Sequence, residues 1–555
     1  MTLRKLLVVG MDGATWDLLD PWIAAGHLPN LAGLRRSGLS GPLASTLPPL
    51  SAPAWASFLT GANQGKHGLY DFVRRKSGSY ALQLTDSTSI RLPTLFEYLG
   101  EAGLRVASIN VPMTYPAWPI QGVMIAGPFA PAVGPGIVEP TSWWPRLQRA
   151  VPQYEILPDY RPGLPRPEAR LAQDLVAAAH NRTMAAEFVL AEETWDALFV
   201  VYTATDQAQH SFWHYLPREL AGYRGTPPPR RDPALDNPIL DVYREIDRGI
   251  GRLLSQVEKE VLVLVLSDHG AGPLESWLHL NAWLAAQGWL RYERRPTSFL
   301  RRAQEMYSRH LPQPVRRAIR RLLGRRFSSL KEVMETSALL SSIDWSRTRA
   351  YALGSGDIFV NLRGREPHGI VEAGPEYEAL RAQIIEDLGR LESPEGQRVV
   401  ARVYRREELY HGPALDAAAD LTVELADHRV HPVARLTQSA SIFESPYGWW
   451  ADSRPLTGGH RPEGMFILRD PSVSHPSTRD GTRLIDLAPT LLARLGLPVP
   501  ALMDGRPILG NISAAPDTSS GPPLALERRA NLDRRAYTEE EQQEIERRLR
   551  DLGYL

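Results

Sequence analysis

Three apolar runs, each closed by an aspartate, limit most tightly what this chain can fold into: "LLVVGMD" (6–12), "ALFVVYTATD" (197–206) and "VLVLVLSDHG" (261–270). None alternates apolar with polar residues, so each strand must be covered on both faces, as in a parallel sheet. Between them lie helical patterns such as "VYREIDRGIGRLLSQVEKE" (242–260), and "LPTLFEYLGEAG" (92–103) precedes a further strand, "RVASINV" (105–111). Strands alternating with helices predict an α/β fold with a mostly parallel central sheet and helices on both faces. The stretch "TRAYALGSGDIFVNLRG" (348–364) reads instead as a hairpin around Gly354 and Gly356.

Composition narrows the function classes. The chain has 555 residues, no cysteine and a formal net charge of zero. Disulfides, thiol nucleophiles and iron–sulfur clusters are therefore excluded, and no global field draws the chain to nucleic acid or membrane. The amino-terminal apolar run, Leu6 to Met11, is too short for a secretory signal, and no run is long enough to span a membrane. A soluble, cytoplasmic protein is expected. From Arg291 to Lys331 there are 13 basic residues against two acids, with Val315, Ile319, Leu322 and Leu323 at helical spacing. This predicts a basic helical insertion over 291–345, either a solvated cap or a surface for anions. After residue 511 a linker, "NISAAPDTSSGPP", leads to a docking helix with a Thr538–Glu541 capping box and an apolar stripe of Ile545, Leu549 and Leu552. The catalytic domain is expected over residues 1–511.

In open α/β sheets ligands bind beyond the carboxyl ends of the strands. Asp12, Asp206 with His210, and Asp268 with His269 all fall there. One such aspartate is ordinarily a turn residue or a helix cap. Three carboxylates at one rim repel unless cations sit among them, and mixed Asp and His ligands suit zinc, with manganese or iron as substitutes. His460, in "TGGHRPEG", extends the set. Ser51, opening "SAPAWASFLTG" after the stiff "STLPPL", reads as a helix cap or as a nucleophile on a helix N-terminus.

The order of these blocks resembles the alkaline phosphatase superfamily: Asp12, Ser51 followed by "TG" and "HG", Asp206-x-x-x-His210, "SDHG" at 267–270, then His460. The similarity is strongest to the type I phosphodiesterase/nucleotide pyrophosphatase branch, which "GREPHG" (364–369), "ADLTVE" (419–424) and "RRLRDLGYL" (547–555) also resemble. The resemblance implies an alkaline-phosphatase-like fold with an inserted cap, and two divalent metal ions, zinc or else manganese. It assigns Asp12, Ser51, Asp268 and His269 to one ion and Asp206, His210 and His460 to the other, with Ser51 as nucleophile. The implied activity is hydrolysis of phosphodiester or nucleotide pyrophosphate bonds in a small-molecule ester through a phosphoseryl intermediate. Monoester hydrolysis, phosphoryl transfer to an alcohol and a non-catalytic binding role are the alternatives. Specific nucleic-acid binding is not expected.

Two departures stand out. Diesterase members usually carry an asparagine just after "HG", where this chain has Phe72 in "HGLYDF". A sulfatase pattern would need arginine where Trp55 stands. Of the other histidines, His67 is expected to be structural, His214 to back the site, and His279 to have no special role.

Overall fold

The computed structural model describes residues 5–76, 78–161, 164–224, 231–293, 342–434, 441–449, 456–473, 476–509 and 537–551. The expected basic insertion therefore lies almost wholly outside the described residues, as does the linker. Where the chain leaves and rejoins that insertion, Tyr292 and Ile343 pair as an antiparallel bridge.

The central sheet has 10 strands and is mostly parallel. Leu6–Met11 lies in its middle, parallel to Ala197–Tyr202 on one side and to Leu262–Leu266 on the other. Val106–Ile109 and Gly122–Ile125 continue in parallel beyond Ala197–Tyr202. On the far side Glu463–Arg469 runs antiparallel between Leu262–Leu266 and Leu39–Ala44. The continuous apolar runs now have their reason. Leu7, Val9 and Met11 enter one buried cluster, with Leu198, Val200, Val263 and Val265. Leu6 and Val8 enter a second on the opposite face, with Phe199, Val201, Leu264 and Leu266.

The first face is covered by the helices Pro167–Glu192 and Pro238–Gln256, which supply Leu171, Leu175, Ile239, Ile246 and Ile250. The second is covered by Ser51–Thr60, Leu95–Glu101 and Leu487–Arg494. Trp55 of Ser51–Thr60 lies on the central strand at Gly10, where a Cβ would stand 2.4 Å from the indole ring. Only glycine leaves room for that ring. Among the described residues no helix is long and apolar enough to cross a membrane.

A second, antiparallel sheet orders its strands Ala350–Leu353, Asp357–Val360, Leu421–Leu425 and Val400–Arg405. The first two form the hairpin that the sequence predicts. This sheet packs against Pro375–Gly389 and Leu280–Ala286 in its own apolar cluster. The "GREPHG" and "ADLTVE" blocks meet inside it. Arg365 grips Asp420 with two bonds of 2.7 and 2.6 Å, and the Tyr377 hydroxyl adds a third at 2.7 Å. Burial opposes the Asp420 charge, but Arg365 outweighs it and holds the carboxyl below its usual range.

Beside the hairpin of the second sheet, two carboxyls are buried together. Asp71 crowds Gly354 of the hairpin, where a Cβ would stand 2.0 Å from its Oδ2. Asp357 accepts the Thr422 hydroxyl at 2.8 Å. Burial, then the charge of Asp357, pushes Asp71 up to about 8, and burial pushes Asp357 up to about 7. Folding thus favours the protonated forms. The stability they lend is complete below the ordinary aspartate range and is lost as pH rises through about 7 and 8. In the double variant Asp71→Asn, Asp357→Asn that loss should vanish, raising Tm at pH ~8.5 by about 2 °C or more while leaving a smaller change at pH ~5. Parallel pH profiles of Tm for parent and variant would refute the account.

Candidate active site

The site begins with register. Met11 pairs with Tyr202 and Gly10 with Leu266, so three parallel strands end level. Asp12 follows the first strand directly. Asp206 lies in the first turn of the helix Ala204–Phe212, and Asp268 with His269 follows the third strand. The Asp12–Gly13 turn is fixed from three sides. The Thr205 hydroxyl donates to the Asp12 carbonyl at 2.5 Å, the Gln209 amide to the Gly13 carbonyl at 2.9 Å, and the Gly13 N–H to Asp268 Oδ1 at 3.1 Å.

Ser51 is the first residue of its helix, and its side chain makes no capping bond. Its hydroxyl instead lies 3.1 Å from His269 Nε2 and 3.4 Å from Asp12 Oδ1. Ser51 thus faces the cluster and does not cap. The stiff segment before it is tied down along its length. Ser45 donates to the Asp268 carbonyl at 2.5 Å, Tyr410 to the Leu47 carbonyl at 2.6 Å, and His460 to the Pro49 carbonyl at 2.7 Å.

His460 arrives on Gly458–Arg461, a strand antiparallel to Gly270–Pro273 and opposite Ala271. Both preceding glycines are required. A Cβ on Gly458 would stand 2.3 Å from the Gln209 carbonyl, and one on Gly459 2.3 Å from the His431 ring. His210, one helical turn after Asp206, completes the group. Asp206 Oδ1 lies 3.3 Å from His210 Nε2 and 3.4 Å from His460 Nε2. His269 stacks on His460 with ring centres 3.6 Å apart and joins the two halves. Asp12, Asp268 and His269 bring ligand atoms within 4.8 Å of one another, and so do Asp206, His269 and His460. All seven residues singled out in the sequence thus meet at one buried rim.

The donor chemistry fits metal ions. Each histidine turns Nδ1 to a backbone carbonyl, at Gly458 for His210 (2.9 Å), Pro49 for His460 (2.7 Å) and Gly270 for His269 (3.0 Å). A carbonyl only accepts, so Nδ1 carries the proton and Nε2 points inward with a lone pair, the orientation of a metal-ligating imidazole. Yet His210 Nε2 and His460 Nε2 are 3.0 Å apart, facing the Asp206 carboxylate. Asp268 Oδ2 is buried with no hydrogen-bond partner among the described residues. Burial, followed by the charges of Asp268 and Asp206, drives Asp12 well above its usual range. Positive charge between these groups relieves every one of those conflicts.

The remaining histidines sort as follows. His67 is fully buried, 3.0 Å from the Ser57 hydroxyl. His214 lies in the turn after the Asp206 helix, 3.1 Å from the Thr457 hydroxyl, and His279 lies 2.8 Å from Glu444. Phe72 is buried in an apolar cluster with Leu50, Ala52, Phe129, Ile545 and Leu549. Its ring centre is 5.0 Å from that of Phe129. The last two come from the helix Glu539–Asp551, whose Thr538–Glu541 capping box forms as the sequence predicts. Sequence reasoning missed Thr205 and Gln209, although both lie inside the "TDQAQH" block, and missed a cleft beyond His460 formed from distant segments.

Fold and site together define a member of the alkaline phosphatase superfamily. The sequence pattern of type I phosphodiesterase/nucleotide pyrophosphatase matches residues 6–447, and the chain belongs to that family. It is accordingly an enzyme of the phosphoric ester hydrolase class. His460 lies beyond the matched span. Phosphonoacetate hydrolase from Sinorhizobium meliloti 1021 is similar in fold. Its complex with phosphonoformate aligns with a TM-score of 0.52 at 14% identity, covering 89% of this chain and 96% of that one. The complex with phosphonoacetate gives 0.51 at 15%, with the same coverage. Human ectonucleotide pyrophosphatase/phosphodiesterase 5 aligns over 89% of this chain and 95% of its own, at 12% identity and a TM-score of 0.46. No curated protein matches the chain in sequence.

Stripping the protein with a chelator should lower Tm by about 5 °C, and adding back a divalent ion should restore it. In Asp268→Asn that restoration should be weaker. A Tm indifferent to chelator and ion would refute metal binding at this rim.

Proposed function

We propose that this enzyme is a metal-dependent hydrolase of phosphoric esters, with phosphodiester or nucleotide pyrophosphate bonds favoured, acting through a phosphoseryl intermediate on Ser51. The observation that carries the reading is the Ser51 hydroxyl, turned away from its own helix and toward His269 and Asp12. One divalent ion would be held by Asp12, Asp268 and His269 beside Ser51, the other by Asp206, His210 and His460; the nitrogen and oxygen donors suit zinc, with manganese as a substitute. When bound, the ions supply the positive charge that activates a serine hydroxyl and balances the phosphoryl oxygens.

The chain's own groups do the rest. Ser51 Oγ gives its proton to water as it attacks phosphorus, the ester P–O bond breaks, and the departing alkoxide takes a proton back from water. Water then attacks phosphorus and loses a proton, the P–Oγ bond breaks, and Ser51 Oγ regains its proton as the phosphate product leaves. The helix N-terminus at Ser51 directs unbonded N–H groups and the positive end of its dipole at the phosphoryl oxygens. Trp55, locked over Gly10, keeps that helix from shifting. It stands where a sulfatase pattern would place arginine, and here its task is packing. The three carbonyl-bound histidines are oriented before substrate arrives, which reduces reorganisation during the reaction.

Ser51→Ala should lower kcat roughly 1000-fold or more while retaining bound metal, assayed with aryl phosphate mono- and diesters and a dinucleotide. Acid quenching of the parent during turnover should trap a phosphoryl group on the Ser51 peptide. Activity within tenfold of the parent, or a phosphoryl group elsewhere, would overturn the assignment.

A further inference from the structure

A cleft opens from the His210 and His460 side of the rim, between the segment Leu47–Leu50 and the second sheet. Its walls are apolar, formed by Leu274, Trp277, Val423, Leu425, Val430 and Pro432. Leu274 and Trp277 continue from Gly270–Pro273, Val423 and Leu425 come from the inner strand Leu421–Leu425 of the antiparallel sheet, and Val430 and Pro432 from Val430–Val433, which pairs with Ser276–His279. Trp277 sets its ring edge-on to His431, with centres 6.3 Å apart, and His431 rests against Gly459 behind His460. No lysine or arginine lines the cleft among the described residues, and Glu424 stands at it with a 2.9 Å bond from the Tyr404 hydroxyl. Burial, together with the Arg461 charge, keeps both His428 and His431 below the usual imidazole range, so neither adds a cation at neutral pH. A nucleotide or phosphate group would find no countercharge here, whereas a neutral apolar group would be desolvated on several sides.

In-line displacement sends the departing oxygen away from the nucleophile. Ser51 belongs to the Asp12–His269 half of the rim, and the cleft begins at the His210–His460 half. We propose that this cleft is the leaving-group pocket and that it selects phosphoric esters whose departing alcohol is neutral and apolar. The inference rests on the phosphoric ester hydrolase reading above and narrows it toward esters of alkyl or aryl alcohols. The bond broken is the ester P–O bond, the alcohol is released with a proton from water, and the phosphoryl group stays on Ser51 until water removes it.

Two substrate series test it with the full-length, metal-loaded enzyme. In the first, alkyl esters of methylphosphonate lengthen only the leaving group, from methyl through butyl to hexyl. In the second, 4-nitrophenyl esters of alkylphosphonates lengthen only the retained group. In the first series kcat/KM should climb by up to about fourfold per methylene and at least tenfold overall; the second should stay within threefold. Val430→Trp, which fills the cleft, should flatten the climb, and Val430→Ala should preserve it. Equilibrium dialysis of 4-nitrophenol against chelator-treated protein gives a readout without turnover: the parent should bind it, and Val430→Trp should bind at least fivefold more weakly. Measurable turnover with a flat first series, or a climb confined to the second, would overturn the pocket assignment alone. A climb that Val430→Trp leaves intact would do the same. Failure to cleave any ester in either series would overturn the inference, and failure on the aryl phosphate mono- and diesters as well would overturn the ester hydrolase reading.

Discussion

The level ending of three parallel strands is the constraint from which the rest follows. Hydrogen bonding fixes Met11 opposite Tyr202 and Gly10 opposite Leu266. A slip of one residue would exchange the faces of a strand buried on both sides and also move its aspartate away from the others. Correct packing of the core and correct placement of the carboxylates are therefore the same event. The second dependency is Trp55. By occupying the space that Gly10 leaves, it converts the stiffness of the central strand into a fixed position for the Ser51 helix.

The rim concentrates charge that the fold alone does not balance. Three aspartates and three histidines are buried together, and each histidine spends its one transferable proton on a backbone carbonyl. Elsewhere the protein resolves buried charge internally. Arg365 and Asp420 neutralise each other within the second sheet, and Asp71 and Asp357 resolve theirs by retaining protons. The rim, by contrast, keeps inward-facing lone pairs and carboxylates, a donor set suited to cations.

Much of this was legible in the sequence because the strongest signals are local. Continuous apolar runs reported double-sided burial, and their terminal aspartates reported the functional edge. The cap-or-nucleophile ambiguity at Ser51 needed geometry, since either role suits a serine at a helix start. His460 joined the set as a histidine after two glycines and before a strand-like run, a weaker signal than the strand-end aspartates. Its place depends on pairing with Gly270–Pro273 and on two glycines whose neighbours, Gln209 and His431, are far away in sequence. The second sheet was half visible: its hairpin was local, but Leu421–Leu425 inserts between strands that no periodicity connects. Nothing in the sequence singled out Asp71, because its burial against the hairpin at Gly354 leaves no mark on its neighbours. The cleft was invisible for the same reason.

The pairing of the His460 strand with Gly270–Pro273 also sets a timetable. Asp12 leaves the ribosome well before His460, and the helix that packs beside Leu50 and Ala52 follows later still. The group of Asp12, Asp268 and His269 is present once His269 has been made, whereas the group of Asp206, His210 and His460 waits for His460. Filling of the second proposed site would thereby wait for His460, and a chain cut before that residue would carry one ligand group without its neighbour.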